Sequence, residues 1–124
     1  MLFSLPGEND ALLNLPYNEV LININRNINT LQNLNPNITI IIEKLKSAKS
    51  SIMTEVLTNY LEQLQTDIKI ITTEKTNEFS KVITADMYTG FSDNLLADDV
   101  HYNEEGAEFI ASKYYDKIED LLLY

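Results

Sequence analysis

The sequence has no cysteine, a single histidine, and only three glycines and three prolines in 124 residues. Without cysteine there is no disulfide framework, no thiolate nucleophile and no cysteine-ligated zinc. Scarce glycine and proline leave few sharp backbone features. No run of 18 apolar residues occurs, so no segment reads as a membrane-spanning helix. Positive charge is also scarce: 9 basic against 19 acidic side chains give a net charge of −10. That balance repels phosphates, which argues against a nucleic-acid partner and against docking on an anionic membrane. The opening residues Met1-Leu2-Phe3-Ser4-Leu5 lack the basic region of a signal peptide, so the expected compartment is the cytoplasm by default.

What is present points to a globular protein. The length suits one domain spanning 1–124, and a hydrophobic content of 44% is too high for a disordered chain. Asparagine is abundant, with ten between Asn9 and Asn37. These residues read as a solvated helix face and not as a binding device.

Leu2 to Leu5 is a short apolar run ended by Pro6-Gly7, the pattern of a buried strand and a turn. Pro16 suits a helix start. Val20, Leu21, Ile24, Ile28 and Leu31 then recur at three- and four-residue steps, one face of an amphipathic helix stopped by Asn35-Pro36-Asn37. Ile38 to Ile42 is β-branched and almost wholly apolar, as in a central strand covered on both faces. Glu43 to Ser51 reads as a polar loop. Val56 or Leu57, Leu61, Leu64, Ile68 and Ile71 predict a long helix, broken near Thr66-Asp67, with a strand at Ile68–Ile71 as the alternative. Val82–Asp86 is the next strand candidate, and Met87 to Asp99 is irregular. Asn103 is a good N-cap, and Glu104 and Glu105 suit the positive end of a helix dipole. Alternation of strand and helix predicts an α/β protein with a parallel sheet. Ligands of such sheets sit beyond the carboxyl ends of the strands, here the loops after Leu5, Ile42 and Asp86.

Two of those loops carry candidate chemistry. His101 follows Asp98 by three residues and directly precedes a helix. An aspartate at that distance can accept a hydrogen bond from one ring nitrogen, fix the tautomer and leave the other nitrogen as a base. The same residues would also serve as plain solvated loop charges. In Gly7-Glu8-Asn9-Asp10, glycine permits a sharp turn and Asn9 is placed to donate to an oxyanion. Gly, Asn and Asp are equally the ordinary residues of a turn. One histidine with Asp86, Asp98 and Asp99 is an oxygen-rich set, but surface loops often have that composition, and no metal is expected.

Together the two blocks resemble those of the SGNH, or GDSL, family of serine ester hydrolases. Gly7-Glu8-Asn9-Asp10 is similar to the family's Gly-x-Asn-Asp block, and Asp98-Asp99-Val100-His101 to its final Asp-x-x-His block. His101-Tyr102-Asn103, Gly106, Ala111, Tyr114 and Tyr115 resemble the segment that follows. Val82 to Phe91 resembles the last strand, and Asn35-Pro36-Asn37 the entry to the fourth. The resemblance implies a three-layer, flavodoxin-like parallel sheet with helices on both faces, lacking its first two strands. It implies cleavage of a small acyl ester, as by an esterase, lipase or acetylesterase, without a cofactor. His101 would be the base, Asp98 its orienter, and Asn9 and Gly7 would belong to the oxyanion hole. Tyr102 stands where the family commonly has proline, and Asp99 where glycine is common.

The nucleophile is the largest departure. The family's serine lies in a Gly-Asp-Ser block after the first strand, and no such block is present. None of Ser4, Ser47, Ser50, Ser51, Ser80, Ser92 and Ser112 has that context; Ser47, Ser50 and Ser51 follow a strand and fall near the expected active edge. A domain short of two strands would have a bare edge at Leu2–Leu5, which predicts a homo-oligomer or a complementing N-terminal segment. Two other readings stay open: a non-catalytic remnant that binds or oligomerises, and an acidic helical interaction protein with accidental motif matches.

Overall fold

A computed structural model describes residues 2–5 and 16–122 of the chain, with side chains from Pro16 onward. Three strands form one parallel sheet in the order β1-β2-β3: β1 is Leu2–Leu5, β2 is Thr39–Lys44 and β3 is Val82–Asp86. Register places Leu2 opposite Thr39 and Leu5 opposite Ile42, then Ile40 opposite Val82 and Lys44 opposite Asp86. Parallel neighbours need long crossovers. Helix α1 (Tyr17–Leu34) connects β1 to β2, and α2 (Glu55–Lys75) connects β2 to β3. Helix α3 (Glu104–Leu122) follows β3. The helix-rich alternative without a sheet is therefore overturned.

Local signals explain the boundaries. The carbonyl of Pro16 accepts from the amides of Glu19 and Val20, opening α1. Its end is closed by Asn35, whose amide donates to Leu31 and whose side chain accepts from the Asn37 amide at 3.1 Å. The Thr54 hydroxyl caps α2 by accepting from the Leu57 amide at 3.1 Å. Strand β2 runs to Lys44, two residues beyond its predicted end, because Glu43 and Lys44 pair with Ala85 and Asp86. Helix α2 is continuous from Glu55 to Lys75, so neither the predicted break at Thr66-Asp67 nor the strand alternative at Ile68–Ile71 occurs. Its buried residues Leu61, Leu64, Ile68 and Ile71 keep one helical face, and that period overrides the local β-branched composition.

Two apolar clusters divide along the pleat of β2. Ile40 and Ile42 pack with Val20 and Ile28 of α1, with Leu61, Leu64, Ile68 and Ile71 of α2, and with Val82. Ile41 packs with Ala85 and Met87, against partly buried Ile110, Tyr114 and Ile118 of α3. Successive strand side chains point to opposite faces, so the isoleucine run serves both clusters. The asparagines at 23, 27, 29 and 33 of α1 are exposed, as expected of a solvated face. Tyr17 meets Tyr60 edge-on at 5.4 Å and donates its hydroxyl to Asp67, tying α1 to α2. Burial, and then the hydrogen bond to Asp67, push the Tyr17 phenol above its ordinary pKa.

The amino ends of the strands are closed by a hydrogen-bonded knot. Ser80 is fully buried, donates to the Ile38 carbonyl at 2.6 Å and accepts from Gln32 at 3.0 Å. Gln32 also reaches the Lys75 carbonyl at the end of α2. Among the described residues no helix is long and apolar enough to cross a membrane.

Helix α2 offers a direct stability test. Leu64 is 1% exposed and Ile70 is 51% exposed. Leu64→Ala should lower unfolding stability by about 2–5 kcal/mol, whereas exposed Ile70→Ala should change it by less than about 1 kcal/mol. Urea titration followed by circular dichroism measures both. Equal losses would mean that the helix does not face the sheet in this way.

Candidate active site

The carboxyl ends of β2 and β3 feed two loops that meet. Residues 95–103 form a small hairpin. Leu96 and Tyr102 pair in antiparallel fashion, the Ala97 amide donates to the His101 carbonyl at 2.8 Å, and the Asn103 amide donates to the Leu95 carbonyl at 2.9 Å. The tip of this hairpin is the Asp98–His101 turn. The Asp98 carboxylate accepts from the amides of Val100 at 2.9 Å and His101 at 2.7 Å. This is an aspartate closing a turn with its own side chain.

The same carboxylate faces the imidazole. His101 Nδ1 lies 2.8 Å from Asp98 Oδ2 and 3.1 Å from Oδ1. Among the described residues, the ring makes its hydrogen bonds with Asp98 alone. An Nδ1–H donating to Asp98 leaves Nε2 with its lone pair, the arrangement that a general base needs. The histidine side chain is 78% exposed, so the pair is open to solvent. Hydrogen bonds from the His101 and Val100 amides, then from the His101 ring, lower the Asp98 pKa to about 2.

Asn103 sets the direction of α3. Its side chain accepts from the Gly106 amide at 2.9 Å, as a helix N-cap does, and donates to the Asn94 carbonyl at 2.8 Å. One asparagine thus joins the hairpin to the helix. Gly106 is buried under that hairpin: a Cβ there would lie 2.2 Å from the Leu95 carbonyl oxygen and 2.5 Å from Tyr102 Cβ. Close approach, and not backbone conformation, is what requires glycine here.

The loop after β2 supports the turn from the other side. The Lys49 amide donates to the Asp99 carbonyl at 2.8 Å, and the Lys46 ammonium donates to the Val100 carbonyl. An open cavity of about 630 Å³ lies between the two loops, lined by Ser47, Ser50, Met53, Tyr88, Phe91 and Asp93 among others. The Ser50 hydroxyl and amide both donate to Asp93, and these bonds, with Lys49 nearby, hold the Asp93 pKa below its usual value. Asp86, at the end of β3, folds back onto the Tyr88 and Thr89 amides and the Thr89 hydroxyl. Burial opposes its ionisation, but those hydrogen bonds and Lys44 outweigh burial and lower its pKa. Among the described residues no group of three or more His, Asp or Glu is placed to hold a metal ion.

Of the residues singled out in the sequence, Asp98 and His101 are brought together. Gly7 and Asn9 lie outside the described residues. Ser47 and Ser50 do reach the cavity, Ser80 is buried at the opposite edge of the sheet, and Ser112 donates to the Phe109 carbonyl within α3. Lys46 and the Ser50–Asp93 pair escape sequence reasoning. Nothing in a lysine-rich polar stretch marks one lysine as buried.

Two solved structures share this fold. A carbohydrate esterase family 3 protein from Talaromyces cellulolyticus superposes with a TM-score of 0.79 at 24% identity, over 97% of this chain and 56% of that one. A mutant acetyl esterase in complex with an acetate ion superposes with a TM-score of 0.82 at 23% identity, over 97% of this chain and 57% of that one. The chain thus spans just over half the length of each structure. No protein-family model matches the sequence, and no curated protein does.

Two measurements test the turn. The native Asp98 pKa lies below the unfolded value of 3.8, so its contribution to stability is full above that value and is lost as pH falls towards about 2. The amide resonances of Val100 and His101 should therefore titrate with a midpoint near about 2, and a midpoint near 3.8 would show that the turn does not form. Gly106→Ala should cost about 1–3 kcal/mol by overpacking, read as a lowered thermal midpoint. The superpositions show that the chain has the α/β fold of these esterase structures, and its own structure sets Asp98 and His101 in a loop beyond the carboxyl ends of the strands.

Proposed function

We propose that this chain is part of an SGNH-type serine ester hydrolase and supplies its base, His101, and the orienting carboxylate, Asp98. The observation that carries the reading is the Nδ1–Asp98 hydrogen bond of 2.8 Å at the carboxyl edge of a parallel sheet whose fold is shared with esterase structures. The finer architecture belongs to this proposal: three layers, with helices on both faces of a sheet extended by further strands. So do the roles of Asn9 and Gly7 in the oxyanion hole. The two structural neighbours suggest that the acyl group is acetyl and that the alcohol is a carbohydrate.

In the mechanism a serine hydroxyl attacks the ester carbonyl while His101 Nε2 takes its proton. Asp98 stabilises the imidazolium that forms. The imidazolium then gives that proton to the departing alkoxide, leaving an acyl-serine and a free alcohol. Water repeats the sequence, releasing the acid and restoring the serine. The His101 ring has no serine hydroxyl among its hydrogen-bond partners within the described residues. The nucleophile is therefore assigned to a segment carrying a Gly-Asp-Ser block. That segment would add to the β1 edge, in the same polypeptide or in a partner.

A second reading follows from the same observation. A chain that keeps the turn but never meets a nucleophile acts as a binding or oligomerising module of this fold.

Fluorophosphonate labelling, read by intact mass, separates the two. The chain alone should not label. Paired with a polypeptide bearing the Gly-Asp-Ser segment of a related esterase, it should hydrolyse an aryl acetate and place the label on that serine. His101→Ala should reduce the rate by at least about 10³-fold. Failure of such pairings to give any activity favours the non-catalytic module.

A further inference from the structure

Lys46 follows β2 by two residues, in a stretch whose neighbour Lys49 is exposed, yet Lys46 is only 6% exposed. Burying an ammonium carries a large desolvation penalty unless hydrogen bonds replace the lost water. Its Nζ donates to the carbonyl of Val100, the residue just before His101. It also lies 5.6 Å from the centroid of the Phe91 ring, within range of a cation–π contact. Phe91 is itself braced edge-on by Phe109 of α3 at 5.6 Å. The ammonium is thus held between an aromatic wall and the back of the Asp98–His101 turn.

The neighbouring carbonyl of that turn is held as well, since Asp99 accepts from the Lys49 amide at 2.8 Å. Two successive peptide planes of the turn are therefore anchored to the loop after β2. The imidazole itself is exposed, and among the described residues its hydrogen bonds go to Asp98 alone. The orientation of the pair must come from the backbone behind it, and on that side Lys46 provides the buried contact.

We propose that Lys46 is a positioning residue: it ties the loop after β2 to the Asp98–His101 turn, so that the imidazole keeps its Nδ1 bond to Asp98 and presents Nε2 at the sheet edge. The proposal rests on the reading that this pair is the proton relay. It adds a link between two parts of the site. Ser47 and Ser50, in the loop that Lys46 anchors, line the cavity. Lys46 and Lys49 thus fix the spacing between the cavity wall and the base.

The test uses the ring nitrogens of the only histidine. A long-range ¹H–¹⁵N spectrum at alkaline pH should show one protonated and one unprotonated nitrogen in the wild-type chain. Lys46→Met keeps the apolar stem and removes the donor. It should replace the single-tautomer pattern with averaged shifts while the sheet amides stay in place. Lys46→Arg keeps a cation and a donor and should preserve the pattern. A folded Lys46→Met chain with the wild-type tautomer overturns the proposal.

If Lys46→Met does not fold, the wild-type chain decides. The Lys46 ammonium protons should exchange with water at least about tenfold more slowly than those of exposed Lys81. Equal rates overturn the tie. None of these readouts needs a nucleophile. Absence of hydrolysis in every pairing, with the tautomer still dependent on Lys46, would sink the esterase reading and leave the tie standing.

Discussion

Everything in this fold depends on the burial of β2 from both sides. Both other strands pair with it, and both apolar clusters form on it. Ile40 and Ile42 serve one cluster and Ile41 the other, so no position in that run is left for a polar residue. Three side chains at 0–1% exposure, each worth about 2 kcal/mol of burial, make this strand the axis on which the helices are hung. The same constraint fixes the site. A central strand brings its own outgoing loop beside that of its neighbour, and here those are the loops bearing Lys46 and His101.

The acidic partner in the site is stabilised without help from net charge. The chain as a whole carries −10, a field that disfavours another carboxylate. Asp98 stays ionised to low pH because two backbone amides and the imidazole converge on it. This is hydrogen bonding to the charged form, the local route to a depressed pKa. Asp86 and Asp93 use the same device at neighbouring points of the edge. Three carboxylates thus shape loops through their own backbone contacts, which suits a chain poor in glycine and proline.

Much of this was legible in the sequence because it is local. Val82–Asp86 has the bounds expected of it, Asn103 caps the last helix, and the three-residue spacing of Asp98 and His101 leads to the observed bond. Legibility failed where distant contacts decide. Ile68 to Ile71 reads as helix or strand by composition, and only packing against the sheet settles it. Glu43 and Lys44 look like loop residues until Ala85 and Asp86 pair with them. Lys46 contacts a carbonyl 54 residues away, and no short window of sequence contains that information.

The two ends of the sheet are built to different specifications. At the amino end, Ser80, Ile38, Gln32 and Lys75 close a buried knot in which each group answers another. A substitution there strands a polar group without water, and the damage spreads to α1 and α2 at once. At the carboxyl end, Asp86 and Asp98 close exposed turns with their own side chains, and Lys46, Lys49 and Ser50 tie the two loops to each other. The two ends therefore transmit change differently: a substitution at the amino end acts on the folding of both helices, whereas one in the loops after β2 and β3 acts on the shape of the exposed end while the sheet stays folded.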